Sequence, residues 1–125
     1  MLQLTRAHIS YAKRVPGPVN VTIKSSVGLA RMFTPTWDMV MEHKRGRLTN
    51  TDYTAQYHSI LNKLTKEQVL AFYDQQREAG PTCTFLCFCQ DGRFCHTHLL
   101  IDWLVDQHPF LFADVRAPQL NPQLI

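Results

Sequence analysis

Eight residues, Thr82 to Cys89 (TCTFLCFC), form an unbroken apolar and β-prone run, followed shortly by CHTHLLIDWLVDQH, whose Leu99, Leu100, Trp103 and Leu104 recur at helical spacing. A run this short and continuous suits a strand buried on both faces, which places it at the centre of a sheet. The turn dipeptide Asp91 and Gly92 separates the two segments. The order is therefore strand, tight loop, helix. In open α/β sheets ligands bind outside the carboxyl ends of the strands, where such loops lead into helix N-termini.

The rest of the chain can be read around that unit. Residues Gln3 to Lys13 contain β-tolerant Thr5, Ile9 and Tyr11, and after the Pro16–Pro18 break Val19, Val21 and Ile23 alternate as a second strand. Ser25 to Thr34 reads as a loop. Thr34 and Pro35 then open a helix predicted over Pro35 to Lys44, with Trp37, Val40 and Met41 on one face and Gly46 as its breaker. Thr49 or Asn50 caps a second helix carrying Tyr53, Tyr57, Ile60, Leu61 and Leu64. Thr65 and Gln68 have capping-box spacing at the start of a third, which Gly80 ends, and the two are expected to form a helical hairpin. FLFADV, from Phe110, is a possible last strand and exposed apolar segment, and a tail from about residue 117 should pack loosely. Strands early and late with helices between predict a single-domain α/β sandwich with a small, partly parallel sheet flanked by helices.

At 125 residues and 45% hydrophobic content the chain suits one domain with a real core. The charge of +3 is compatible with an anionic ligand but falls far short of a polybasic tail. No early segment reads as a signal peptide and no apolar run approaches the roughly 20 residues of a membrane span. The expectation is a cytoplasmic protein without a membrane partner, whose four cysteines are free thiols, metal ligands or nucleophiles rather than disulfides.

Those cysteines allow several chemistries. Cys83 reads as core, since a free cysteine behaves as a small buried hydrophobe. Cys87 can face either core or pocket, while Cys89, Cys95 and His96 fall at the strand-to-helix loop. As an anion pocket, the first turn of the following helix would point N–H groups at a phosphate and favour thiolate at a nearby cysteine, making Cys89 or Cys95 the nucleophile and His96 the acid or base. As a metal site, Cys87, Cys89 and Cys95 with His96 or His98 supply enough ligands for zinc. Against this, a C-x-C pair on a regular strand holds its sulfurs about 7 Å apart, too far for one ion unless the strand ends there. Cys95 and His96 can also merely cap and pack the helix.

Contacts to a ligand are expected from Lys24 at the end of the second strand, Lys44 in the basic run EHKRGR, and Arg93. Trp37 can stack on a flat ligand or pack in the core, and Asp38 can accept from a ribose hydroxyl or complement the helix dipole. No Walker loop, GxGxxG, HExxH, nucleophile elbow or paired-carboxylate motif is present in the sequence.

The segments FTPTWDMVMEHKRGRLTNTDYTAQYHSIL and LCFCQDGRFCHTHLLIDWLV resemble the family known as domain of unknown function 488. The resemblance runs from about Ser10 to Val105 and rests on two long, ordered motifs. It implies an α/β fold and a pocket, and carries over to Lys24, Pro35, Trp37, Asp38, Lys44, Tyr53, Tyr57, Cys87, Cys89, Gly92, Cys95, His96 and His98. Thr97 stands where the family pattern has arginine, which implies one cationic contact fewer. The combined reading is a Cys/His pocket that binds a nucleotide-like or nucleic-acid ligand and acts on a glycosidic or phosphoester bond, with no cofactor expected. The alternatives are a zinc-stabilised binding module and a non-enzymatic accessory protein, of phage or mobile-element type, that binds a host protein.

Overall fold

The computed structural model describes residues 1–89 and 93–116. The predicted Asp91–Gly92 turn and the tail from 117 lie outside the described residues. Four strands, β1 (Leu2–His8), β2 (Pro18–Asn20), β3 (Thr82–Cys87) and β4 (Phe112–Asp114), form a sheet of order β2-β3-β1-β4. Four α-helices accompany them: α1 (Trp37–Lys44), α2 (Asn50–Leu61), α3 (Lys66–Ala79) and α4 (His96–Gln107). All described strand pairs are parallel. This is the predicted α/β fold, with β3 in the interior of the sheet and buried from Cys83 to Cys87.

Register decides which residues face the helices. Leu4 lies beside Cys83, Arg6 beside Phe85, Val19 beside Phe85, and Leu2 beside Phe112. Neighbours in a parallel ladder share a face, so Leu2, Leu4, Val19, Cys83, Phe85 and Phe112 all enter one core with Tyr57, Leu61, Phe72, Leu100 and Leu104 of the helices. Phe72 of α3 stacks on Phe85 at 5.9 Å. The link from β1 to β2 passes the opposite face of β3, where the Thr84 hydroxyl donates to the Pro16 carbonyl at 2.6 Å, and reaches the edge of β3 where the Thr84 amide donates to the Gly17 carbonyl at 2.8 Å.

Several expectations change. The second strand stops at Asn20, because the Asn20 side chain accepts from the Thr22 amide and hydroxyl and turns the chain out of the sheet, although Val21 stays in the core. The predicted Ser25–Thr34 loop contains a 3-10 segment, Gly28–Phe33. Helix α1 begins two residues late at Trp37, since Thr36 rather than Thr34 caps it by accepting from the Met39 amide. Thr49 caps α2, and the Thr65/Gln68 capping box of α3 is formed. The helical hairpin is not the organising contact: α2 packs mainly on α4 and α1, and α3 on β1 and β3. FLFADV divides, with Phe112 buried in β4 and Phe110 90% exposed.

Gly17 is held at φ +56°, and a Cβ there would meet the Thr82 carbonyl oxygen at 1.9 Å. Gly17→Ala should therefore cost more than about 2 kcal/mol. Gly46→Ala, at φ +73° with open space around it, should cost about 1 kcal/mol. Denaturant titration of the two variants measures the difference, and equal losses would contradict the close approach of the crossing link to β3.

Candidate thiol site

The chain leaves the sheet directly after Cys87. That departure removes the objection to the C-x-C pair: with β3 ended, the sulfurs of Cys87, Cys89 and Cys95 lie within 4.8 Å of one another. Cys95 arrives from the other side as the N-cap residue of α4. The group that holds the three together is Arg6, on the inward face of β1. Its Nη2 donates to Cys87 Sγ at 2.8 Å and to the Cys89 carbonyl at 2.9 Å, and its Nε donates to Thr97 Oγ1 at 3.0 Å. The Thr97 hydroxyl in turn donates to Cys95 Sγ at 3.3 Å. A single guanidinium thus ties together β1, the end of β3 and the first turn of α4.

Electrostatics follow from these contacts. The Cys89 and Cys95 thiols beside it, with the Arg6 guanidinium, pull the Cys87 thiol below its ordinary value of 9.0 against its burial. Cys89 and Cys95 move up, chiefly through the neighbouring Cys87 sulfur. Cys83 is pushed up by burial alone, as the core role predicts. His96 is buried and held below 6.5 by that burial, so its imidazole is neutral. Its Nε2 lies 2.9 Å from the Val21 carbonyl and must be the donor, leaving an unprotonated Nδ1 3.9 Å from Cys95 Sγ.

The cluster floors a cavity of about 200 Å³ walled by Ile23, Pro35, Val40, Tyr53 and Phe94. A wider recess of about 560 Å³ adjoins it, sharing Ile23, Val40, Lys44 and Phe88 and adding Lys24 and Trp37. Trp37 is 47% exposed rather than core, because Met39 is the residue that α1 buries. The Lys24 ammonium lies 5.7 Å from the Trp37 ring centre. Of the sequence candidates, Cys87, Cys89, Cys95, His96, Lys24, Lys44 and Trp37 line this joined recess. Asp38 sits in the exposed first turn of α1 and Arg93 is exposed, and neither lines it.

Three cysteines could hold a metal ion, and among the described residues they are the group so arranged. His96 is directed to Val21 instead, and His98 belongs to a separate network in which Arg116 Nη1 lies 3.1 Å from its Nδ1. Sequence reasoning missed Arg6. The signal was present: in Leu2-Gln3-Leu4-Thr5-Arg6 the inward alternation ends on a charge, which a sheet face tolerates only with partners. Thr97 does not leave the site without a cation, since Arg6 supplies one from β1 and uses Thr97 as its acceptor.

Fold and site together define a parallel α/β domain with a thiol cluster at the carboxyl edge of its central strand. The chain matches, over residues 5–108, the family model described as the active DUF488-N3 subclade, and it belongs to the DUF488 family. No curated protein and no solved structure matches it. No helix among the described residues is long and apolar enough to cross a membrane.

The pH dependence of stability carries a sign. In the folded state the Cys87 thiol is pulled below its ordinary 9.0 and His96 below its ordinary 6.5, so below those values the unfolded chain binds more protons at both groups. Their contribution is complete above those values and is lost as pH falls. Cys83, Cys89 and Cys95 have the opposite sign and release protons on unfolding above 9.0. Stability should thus rise from pH 6 toward pH 8 with a slope up to about 1.4 kcal/mol per pH unit for each proton difference, and fall in strong alkali. Denaturation midpoints across this range test it. A profile flat between pH 7 and pH 8 would contradict a folded-state thiolate.

Proposed function

We propose that the protein is a thiol-dependent enzyme that binds a nucleotide-like or nucleic-acid ligand and attacks it with the thiolate of Cys87. The observation that carries this reading is the Arg6 guanidinium at 2.8 Å from a sulfur in the cavity floor, with two further sulfurs beside it. The arrangement supplies what a nucleophile needs, a stabilised thiolate and a nearby proton source. Cys87 takes the nucleophilic role. Cys95 and Cys89 are the proton donors for the leaving group, and neutral His96 exchanges a proton with Cys95 through Nδ1.

The joined recess supports the ligand class. The inner cavity has room for a reacting group and the outer one for a base and phosphate, between exposed Trp37 and Phe88 with Lys24 and Lys44 at the wall. The bond attacked is then a glycosidic carbon–nitrogen or a phosphoester bond, with the thiolate forming a bond to carbon or phosphorus and the departing base or alkoxide taking the thiol proton. A second reading, a zinc module held by Cys87, Cys89 and Cys95, rests on the same three sulfurs. Elemental analysis of protein prepared without chelator separates them: stoichiometric zinc favours the module.

Alkylation with iodoacetamide tests the enzyme reading. Cys87 should label at pH 6, where ordinary thiols are protonated, and Arg6→Gln should slow that labelling roughly tenfold or more for each unit by which the thiol rises. Millimolar nucleoside monophosphates should protect Cys87, and Trp37→Ala should abolish the protection. Labelling that follows an ordinary thiol profile, unaffected by Arg6→Gln, would overturn the nucleophile.

A further inference from the structure

The same three sulfurs permit chemistry that a single nucleophile does not. All four cysteines are free. The Thr97 hydroxyl lies 3.3 Å from Cys95 Sγ and 3.8 Å from Cys87 Sγ, so one small group touches both sulfurs. These two cysteines stand on separate elements, the last residue of β3 and the cap of α4. A bond between them closes a loop across residues 87 to 95, whereas Cys87 and Cys89, two apart, would have to close a much smaller ring. The inner cavity that they floor, about 200 Å³ with largely apolar walls, admits a small uncharged oxidant and excludes a protein disulfide.

We propose that Cys87 and Cys95 form a peroxide-consuming dithiol, with Cys87 as the attacked-first sulfur and Cys95 as the resolving thiol. The Cys87 thiolate attacks the distal oxygen of a hydroperoxide and the O–O bond breaks. The departing alkoxide or hydroxide takes a proton, leaving a sulfenic acid on Cys87 and an alcohol or water. The Cys95 thiol then displaces the sulfenic hydroxyl: a sulfur–sulfur bond forms, a sulfur–oxygen bond breaks, and water leaves with the thiol proton. The two sulfurs together lose two electrons and the peroxide gains them. A small external dithiol, itself oxidised to a disulfide, returns the pair to its starting state. Arg6 favours the first step by holding the thiolate, and the released Arg6 contact is regained on reduction. Oxidation also removes the nucleophile, so peroxide would switch off the activity proposed above.

The inference rests on the Cys87 thiolate, and the test separates the two. The full chain is treated with one equivalent of hydrogen peroxide, quenched with iodoacetamide, and mapped by peptide mass. The expected result is a Cys87–Cys95 disulfide as the principal product with Cys83 alkylated only after denaturation. Cys95→Ser should stop at a sulfenic acid on Cys87 that dimedone traps, and Cys89→Ser should still form the bridge. Arg6→Gln should slow the oxidation roughly tenfold. A Cys87–Cys89 bridge, over-oxidation without any disulfide, or a cluster that resists peroxide would overturn the dithiol. If Cys87 resists peroxide yet alkylates at pH 6, the nucleophile stands and the dithiol falls. Because the wild-type map decides the pairing, the test holds even if a variant fails to fold.

Discussion

A guanidinium inside the sheet face is the constraint on which the rest of the structure depends. Arg6 projects from β1 into the side of the sheet that is otherwise lined by leucine, valine, phenylalanine and cysteine. A half-buried cation on an apolar sheet face is costly without partners, so the surroundings must supply acceptors. They include a sulfur at the end of β3, a carbonyl just beyond it and a hydroxyl in α4. The contact with the Cys89 carbonyl fixes how the chain leaves the strand, and the contact with Thr97 fixes where α4 begins.

That arrangement separates stability from reactivity along the length of the sheet. Toward the amino end of β3, Cys83 and Phe85 are pure core. At the carboxyl end the same inward face supplies Cys87, and the helices diverge enough to leave a cavity lined by α1, α2 and the start of α4. Tyr53, His43 and Phe94 close its far side through ring contacts of 5.1 to 5.3 Å. Burial keeps the Tyr53 hydroxyl protonated, its pKa raised further by the nearby cysteines. The cavity is therefore walled mostly by apolar side chains, with Lys44 at its wall and the cysteines at its floor. Low dielectric strengthens the Arg6–Cys87 pairing there.

Much of the fold was legible because its signals were local and periodic. The continuous run of β3 marked the sheet interior, the capping box marked α3, and the tyrosine and leucine stripe marked α2. The candidate pocket was legible for the same reason, since strand, loop and helix were consecutive. What was hidden depended on long-range geometry. Arg6 is 81 residues from Cys87, and no spacing rule joins them. Convergence of Cys87 and Cys89 required knowing that the strand ends at Cys87. Trp37 carried the pattern of a core residue, and only the packing of Met39 beneath α1 turned it outward. The helical hairpin failed because α2 found a better apolar partner in α4.

The role proposed for Cys87 requires a thiolate held by Arg6 and the neighbouring thiols. Ultraviolet thiolate absorbance followed through a pH titration of the native chain reads that charge without any reagent entering the cavity. One thiolate should already be present at pH 6 in the native protein, lost in Cys87→Ala and titrating closer to an ordinary thiol in Arg6→Gln. Absence of thiolate absorbance in the folded chain below pH 8 would contradict it.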